Sequence, residues 1–403
     1  MDTVVIVGGG ASGMMAALTA AGDGNRRIVL LERQQRLGRK LLSTGNGRCN
    51  LTNIGAAPEN YHGEQAGFAA SALRAFPPQA ALDFFHSLGL VTVTEEGGRV
   101  YPLSDSANSV LDVLRFALQE RGVEVVTSCP VSEIRRRGDS FLAVTEKGEF
   151  KADDLIVACG GAAGAKLGGG MDGYALLAAL GHGRTKLYPA LAPLLTAPEY
   201  PRALKGVRAD GSIRLVLDGQ TLARGEGDIQ FTERGVSGPA AFDLARAAST
   251  AGDRAALHLN FMRSLSAEQL SKLLRARREV FPGLETAELF TGMVHNRLGR
   301  MLIKYAGLNA SASIGTLTDG ELERAAHACR DFTLPLRGVE GFDSAQVTAG
   351  GVRTQGFDPE TLESRSVPRL FACGEVLDVD GDCGGYNLQW AWASGYVAGR
   401  LGR

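Results

Sequence analysis

The 403-residue sequence lacks the features that mark membrane and secreted proteins. No hydrophobic run is long enough to cross a bilayer as a helix. The six cysteines are scattered without a Cys-x-x-Cys pair, which predicts reduced thiols that pack as small core residues. Residues 1–21 are apolar but lack the basic start of a secretory signal, so we expect a cytoplasmic protein.

Signatures of metal and hydrolase chemistry are also missing. The six histidines are dispersed, with no His-Glu-x-x-His or comparable spacing, so we predict no metal site. The stretch around Ser237, GVSGP, resembles the turn that exposes a serine nucleophile, but its final glycine is missing. Charge is nearly balanced at a formal net value of −1, and no repeat or low-complexity tract occurs. These absences leave a soluble globular protein of two or three domains.

Glycine is the residue in excess, since 53 glycines are about twice the usual share and predict close backbone approaches to a large ligand. The first group follows a β-branched strand at residues 4–7 and precedes a helix-forming segment. Gly8, Gly10 and Gly13 have G-x-G-x-x-G spacing, which predicts a tight turn, approach to a pyrophosphate and close helix–strand packing. Glu32 ends the second strand, where a carboxylate binds a ribose 2′-hydroxyl and repels a 2′-phosphate. The pattern therefore predicts an adenosine cofactor of the NAD or FAD kind.

A polar, glycine-rich segment at residues 33–53 is predicted to be a functional loop. Gly45 and Gly47 allow the backbone to lie against a flat ring. Its other polar residues supply cations and amide groups: Arg39, Lys40, Arg48, Asn46 and Asn50.

The middle of the chain differs from both ends in its proline content and hydrophobic pattern. A strand-like run at 154–161 ends in glycines without a second G-x-G-x-x-G, so we predict that it belongs to the first nucleotide domain. Prolines from Pro189 onward mark a boundary, and short alternating segments after it predict a small antiparallel sheet or barrel. Residues 265–304 predict two helices broken at Pro282. Buried-strand character returns at 346–352, which indicates an insertion into a split cofactor domain.

Five stretches resemble the BaiN/RdsA-like flavoproteins, a group that includes aminoacetone oxidase-type enzymes. These stretches are VVIVGGGASGMMAA (4–17), GRKLLSTGNGRCNLTN (38–53), FTERGVSGPAAFDLAR (231–246), QVTAGGVRTQGFDPETLESR (346–365) and LFACGEVLDVDGDCGGYNLQWAWASG (370–395). The resemblance covers the whole chain and implies an α/β fold, in which a Rossmann-like FAD-binding domain is split by a β-barrel-like insert carrying a helical hairpin. The predicted boundaries are 1–188 and 333–403 for the FAD-binding domain, 189–262 and 306–332 for the barrel, and 263–305 for the hairpin.

The resemblance also implies non-covalent FAD and assigns its contacts by motif position. The predicted contacts are Gly8, Gly10, Ala11, Ser12, Gly13, Glu32, Arg33, Arg39, Lys40, Leu41, Gly45, Gly47, Arg48, Cys49, Asn50, Val131, Ala158, Gly160, Gly374, Glu375, Asp378, Gly385, Tyr386, Asn387 and Leu388. Gly385 to Leu388 would bring a helix N-terminus to the pyrimidine edge of the flavin, where it stabilises negative charge. The catalytic residues are not identified, and the candidates are Arg48, Asn50 and Tyr386. Cys383 stands where we expect threonine in many relatives.

Three functions fit these observations. The first is NAD(P)H-driven reduction of a C=C bond in a steroid- or bile-acid-like enone, with the nicotinamide binding only transiently. The second is a dihydrouridine synthase acting on 23S ribosomal RNA, favoured by basic residues in the helical insert. These residues are Arg263, Lys272, Arg275, Arg277, Arg278, Arg297, Arg300 and Lys304. The third is an oxidase that converts a small amine such as aminoacetone and forms hydrogen peroxide.

Overall fold

A computed structural model describes residues 1–65 and 67–403. The chain forms two compact units. The first unit contains Met1–Tyr188 and Gln346–Arg403, and the second contains Pro189–Ala345. The first unit is therefore discontinuous, and the second is an insertion into it.

A parallel sheet of five strands is the centre of the first unit. In sheet order the strands are Leu370–Ala372, Asp154–Val157, Thr3–Val7, Arg27–Leu31 and Glu124–Val126. Thr3–Val7 is the central strand, and its β-branched side chains are buried, as expected for a parallel sheet covered on both faces. Because the strands are parallel, their carboxyl ends lie at one edge, where α/β proteins bind ligands.

Helices and small antiparallel sheets complete the first unit. The helices are Ala11–Ala20, Ala69–Ala75, Pro78–Ser87, Ala107–Glu120, Asp172–Ala179 and Tyr386–Gly399. The antiparallel strands are Val131–Arg137, Ser140–Thr145 and Gly148–Ala152 in one sheet, Thr52–Asn53, Arg99–Pro102 and Thr92–Thr94 in another, and Tyr61–His62 with Asp380–Gly381 in a third. Tyr386–Gly399 packs on Ala11–Ala20 through glycine, since a Cβ on Gly395 would overlap the carbonyl oxygen of Ser12.

The second unit is a closed antiparallel barrel with helices. Its strands, in order around the barrel, are Leu194–Thr196, Gly235–Ser237, Gln220–Phe231, Arg208–Leu217, Ala256–Asn260 and Phe332–Val339. Its helices are Glu199–Leu204, Pro239–Phe242, Ala245–Ala251, Ala267–Val280, Asn296–Tyr305 and Asp319–Arg330. The predicted break at Pro282 separates Ala267–Val280 from Asn296–Tyr305. Ser266 caps the first of these helices with a reciprocal bond to Gln269.

The predicted return to the first unit differs from the structure. The chain leaves the first unit after Tyr188 and returns to it at Gln346 rather than at 333, because Phe332–Val339 closes the barrel. The range 306–332, predicted to be part of the barrel-like insert, contains the helix Asp319–Arg330, which Thr318 caps with Glu321. No helix within residues 1–65 and 67–403 is long and apolar enough to cross a membrane.

Candidate functional site

The glycine loop follows the central strand and gives its three glycines three different environments. Gly8 has φ +113°, and a Cβ there would overlap the carbonyl oxygen of Ala158. A Cβ on Gly13 would overlap the carbonyl oxygen of Gly8. A Cβ on Gly10 would meet no atom within 4 Å. Gly8 and Gly13 therefore serve the turn and the packing, and Gly10 faces the space that a pyrophosphate would require.

Glu32 is held against this loop. The side chain is 9% exposed, and its two carboxylate oxygens accept N–H bonds from Gly9 and Gln34, each 2.7 Å long. Each oxygen retains a second lone pair that can accept a hydroxyl of a ribose. The N–H of Cys129 donates to the carbonyl of Glu32 at 2.9 Å, which brings the segment leading to Val131 beside Glu32. This arrangement fits an adenosine end with Val131 near the base.

Lys40 and Glu375, which lie in different predicted motifs, form an ion pair of 2.6 Å. The other carboxylate oxygen of Glu375 accepts the N–H of Thr348 at 2.8 Å. Gly374 has φ +77°, and a Cβ there would overlap the Ser12 hydroxyl, so the start of the first helix and the last motif are in contact. Gly160, with φ +73°, would place a Cβ in open space. The structure therefore brings these predicted residues together near the start of the first helix.

Arg33 and Arg39 are engaged by other protein groups. Arg33 pairs with Asp172 and donates to the carbonyl oxygens of Gly168 and Gly169, at 2.5 and 3.0 Å. Arg39 is exposed and donates to the side chain of Gln34 at 2.6 Å. These cations organise protein loops, and their contacts with a cofactor stay predictions.

The segment from Leu41 to Cys49 holds a run of left-handed backbone. Gly45, Asn46, Gly47 and Cys49 have φ values of 56°, 57°, 88° and 64°. For the two non-glycine residues this conformation costs on the order of 1 kcal/mol or more each, and such strain concentrates at functional sites. Leu41 and Cys49 are buried, and burial raises the pKa of the Cys49 thiol to about 12. Cys49 is therefore an uncharged core residue at neutral pH.

Asn50 presents an unsatisfied polar atom beside the last helix. Its Oδ1 is buried and accepts no hydrogen bond within the described part of the chain. A Cβ on Gly385 would lie 2.8 Å from this oxygen, and Gly385, with φ +100°, is the residue before the helix Tyr386–Gly399. A buried acceptor without a donor costs about 1–3 kcal/mol, so a ligand donor at this place is expected to stabilise the site. The free N–H groups of the helix N-terminus add affinity for negative charge.

The first turn of this helix is fixed by its neighbours. The amide of Asn387 bonds both backbone groups of Gly381, each at 2.8 Å. The Tyr61 hydroxyl donates to the carbonyl of Tyr386 at 3.0 Å, and the two rings meet edge to face with centroids 6.4 Å apart. Asp378 is 2% exposed and accepts the N–H of Glu64 at 2.9 Å. The turn that leads to Leu388 is thus held in place by contacts within the protein.

Arg48 is clamped by two carboxylates. It pairs with Glu95 at 2.5 Å and with Asp105, and its guanidinium lies 4.1 Å from the centre of the Tyr101 ring. These hydrogen bonds raise the pKa of Arg48 further above its already high value. Arg48 is therefore no proton donor, and any catalytic part it plays is limited to its charge and its hold on the loop.

Sequence reasoning missed a buried polar network on the helix Tyr386–Gly399. The Thr52 hydroxyl donates to Gln389 at 2.6 Å, and Gln389 donates to the carbonyl of Phe76 at 2.8 Å. Trp392 donates to the carbonyl of Leu51 at 2.8 Å, and the hydroxyl of Ser394 accepts the N–H of Gly374 at 2.9 Å. The sequence did hold one indication of this network. The helix is apolar on every face, so its few polar side chains are buried and must form hydrogen bonds inside the protein. This network holds the loop 49–53 and the Gly374 turn to the same helix.

A separate groove of about 820 Å³ lies in the first unit between Ala107–Glu120 and residues 35–42. It contains none of the predicted cofactor contacts. We therefore place the cofactor at the glycine loop and not in this groove. No group of three or more His, Cys, Asp or Glu residues in the described ranges could hold a metal ion.

Comparisons with known proteins identify the family of the chain. Residues 2–401 match the model of the HI0933-like protein Rossmann domain. The chain is 38% identical over 376 residues to the 3-dehydro-bile acid delta(4,6)-reductase of Clostridium scindens, covering 93% of this chain and 92% of that protein. It is 27% identical over 370 residues to the ribosomal RNA dihydrouridine synthase of Escherichia coli K12, covering 92% and 90%.

Among solved structures, a 3-ketosteroid delta1-dehydrogenase from Sterolibacterium denitrificans in complex with 1,4-androstadiene-3,17-dione aligns with a TM-score of 0.52. The alignment covers 99% of each chain at 14% identity, and shows that the two folds are alike. Together with the family match, these results confirm the resemblance found in the motifs. The chain belongs to the HI0933-like family, which is the group of BaiN/RdsA-like flavoproteins that its motifs resemble, and it is an FAD-dependent oxidoreductase.

Proposed function

We propose that this enzyme reduces a C=C bond conjugated to a carbonyl group in a steroid- or bile-acid-like substrate, with NAD(P)H as a transient reductant. The observation that carries the proposal is the 38% identity to a bile-acid reductase over 93% of the chain. FAD, when bound, would supply the hydride chemistry, and the protein would supply position and electrostatics.

The residues of the first unit can perform the tasks that this reaction sets. Gly10 leaves room for the pyrophosphate, and Glu32 retains acceptors for the adenosine ribose. The Asn50 Oδ1 can accept an N–H from a flat heterocycle, and the N-terminus of Tyr386–Gly399 can stabilise negative charge on it. The predicted role of Arg48 as a cation is compatible with its raised pKa.

The charges of the helical insert favour a small substrate over RNA. Most of the predicted RNA-binding cations are engaged within the second unit. Five of them form ion pairs: Arg263 with Asp210 and Glu226, Arg275 with Asp319 and Glu323, Arg278 with Asp319, Arg300 with Glu288 and Lys304 with Glu199. Arg297 donates to the carbonyls of Ala203 and Lys205. Arg277 lies over the Phe281 ring. A cation that already has a carboxylate partner gains less from a phosphate, because binding must break or share the existing pair.

The proposal is tested by anaerobic stopped-flow measurement of flavin bleaching in the purified protein. The protein is mixed separately with NADH, NADPH and aminoacetone, and the reduced protein is then mixed with 4-androstene-3,17-dione or with its 4,5-saturated analogue. We expect bleaching by a nicotinamide and recovery of colour with the enone alone.

Two results would replace the proposal. Bleaching by aminoacetone alone, with peroxide formed when air returns, would identify the oxidase. Recovery of colour by a uridine-containing 23S RNA fragment but not by the enone, with binding that weakens steeply as salt rises, would identify the dihydrouridine synthase.

A further inference from the structure

Arg99 is a partly buried cation without a partner. It lies at the start of the strand Arg99–Pro102, where its carbonyl accepts the N–H of Glu95 at 2.8 Å, but its guanidinium forms no hydrogen bond or ion pair with the residues at 1–65 and 67–403. The other partly buried arginines of the first unit all have partners: Arg26, Arg33, Arg48 and Arg369. A guanidinium on a partly buried residue, without a carboxylate partner, can bind an anionic or carbonyl oxygen of a ligand.

The surroundings of Arg99 place it beside the N-terminus of the helix Tyr386–Gly399, which is predicted to bind the flavin. A Cβ on Gly384 would lie 3.4 Å from Arg99 Nε, 3.4 Å from the Tyr386 ring and 3.7 Å from the amide nitrogen of Asn53. Gly384 immediately precedes Gly385, whose Cβ position is 2.8 Å from the unsatisfied Oδ1 of Asn50. The unpaired cation and the unpaired acceptor therefore flank the same two glycines.

Three carboxylates of the surrounding segments have other partners. Glu95 and Asp105 pair with Arg48. Asp382 accepts from the side chain of Asn60 at 3.1 Å and bonds the His62 ring at 2.7 Å. None of these three carboxylates forms an ion pair with Arg99.

We propose that Arg99 is a catalytic residue that binds the carbonyl oxygen of the enone, an inference that rests on the proposed function. The reduced cofactor, when bound, would supply a hydride that forms a C–H bond at the β-carbon. The electron pair of the C=C π bond then becomes a π bond between the α-carbon and the carbonyl carbon, and the C=O π pair moves to the oxygen to give an enolate. Arg99 stabilises the negative oxygen by a charge-assisted hydrogen bond. When the α-carbon takes a proton from solvent, the enolate π pair forms the new C–H bond and the oxygen lone pair restores the C=O π bond.

The inference is tested with the FAD-loaded protein and the variants Arg99→Gln and Arg99→Lys. The control is Arg36→Gln, an exposed arginine of the same unit that also has no described partner. One assay measures anaerobic reoxidation of the dithionite-reduced protein by 4-androstene-3,17-dione. A second compares the Kd of this steroid with the Kd of 4-androsten-17-one, which lacks the 3-oxygen. FAD content and the rate of flavin reduction by NAD(P)H are measured in every variant.

Removal of one preorganised oxyanion donor slows reactions by about 10²–10³-fold, and we expect a loss of that size in Arg99→Gln. Arg99→Lys, which keeps the charge, should recover part of the rate. In Arg99→Gln the preference for the 3-oxo steroid should disappear, with FAD content unchanged. Arg36→Gln should behave as wild type.

Three results would overturn the inference. Wild-type reoxidation and steroid preference in Arg99→Gln would remove Arg99 from the site while leaving the proposed function intact. Loss of FAD from Arg99→Gln would assign the guanidinium to the cofactor instead. A wild-type protein that neither reoxidises with the enone nor distinguishes the two steroids would end both the inference and the proposed function.

Discussion

We expect the substitution Gly10→Val to abolish FAD binding without unfolding the protein. Gly10 has φ −80° and ψ −170°, an extended conformation open to any residue, and its Cβ would meet no protein atom within 4 Å. The valine side chain therefore fits the protein itself. The same side chain would occupy the space predicted for the pyrophosphate, so FAD binding should fail while the fold is retained.

The size of the loss follows from the contacts that the side chain would block. Hydrogen bonds to charged groups contribute about 1.5–3 kcal/mol each. Loss of two backbone bonds to the pyrophosphate would then cost about 3–6 kcal/mol, which corresponds to a Kd weakened by about 10²–10⁴-fold. Gly10→Ala, with a single methyl group, should lose less.

The assay compares bound flavin, FAD titration of the apoprotein and the free energy of unfolding of the apoprotein. Gly13→Ala is the contrasting variant, because its Cβ would overlap the carbonyl oxygen of Gly8 and should destabilise the loop itself. Gly22→Val is the matched control, since its Cβ also meets nothing within 4 Å but lies outside the predicted site. A yellow Gly10→Val protein with wild-type FAD affinity would refute the placement of the phosphates.

Three further predictions concern buried groups. Asn50→Leu should weaken FAD binding without destabilising the apoprotein, because its Oδ1 has no partner to lose; equal FAD affinity in the titration would contradict this. Gln389→Leu leaves the Thr52 hydroxyl without its acceptor and the Phe76 carbonyl without its donor, and denaturant unfolding should show a loss of about 1–3 kcal/mol; unchanged stability would contradict this. Burial raises the pKa of the Cys49 and Cys373 thiols to about 12, so neither should react with iodoacetamide near neutral pH until the protein unfolds. The thiols of the unfolded chain ionise at a lower pH than the buried thiols. The contribution of these thiols to the free energy of unfolding is therefore complete below the ordinary thiol pKa and declines as pH rises toward 12.

The local parts of the site were predictable because sequence-adjacent residues determine them. The glycine spacing from Gly8 to Gly13 specifies a turn between a strand and a helix, and the structure places Glu32 beside it. The predicted start of the insert at 189 rested on the prolines from Pro189 onward, which favour turns and element ends.

Long-range pairing limited the remaining predictions. Phe332–Val339 alternates like many strands, and only its pairing with Leu194–Thr196 and Ala256–Asn260 assigns it to the barrel. Arg48 was a plausible catalytic cation until its partners, 47 and 57 residues away in sequence, were located.

Arg99 could not be identified as a candidate site residue from the sequence. It belongs to none of the five stretches that carry the family resemblance, and a single arginine in a short strand gives no periodic signal. Its guanidinium has no partner among residues 1–65 and 67–403, and no local sequence pattern encodes this.

The central claim is tested most directly by one anaerobic turnover of the wild-type protein. The flavin is reduced with one equivalent of NADPH or NADH, 4-androstene-3,17-dione is added, and the product is identified by mass spectrometry. We expect one saturated C=C bond for each flavin that returns to its oxidised colour. A flavin that the nicotinamide reduces but the enone does not reoxidise would contradict the proposed reduction.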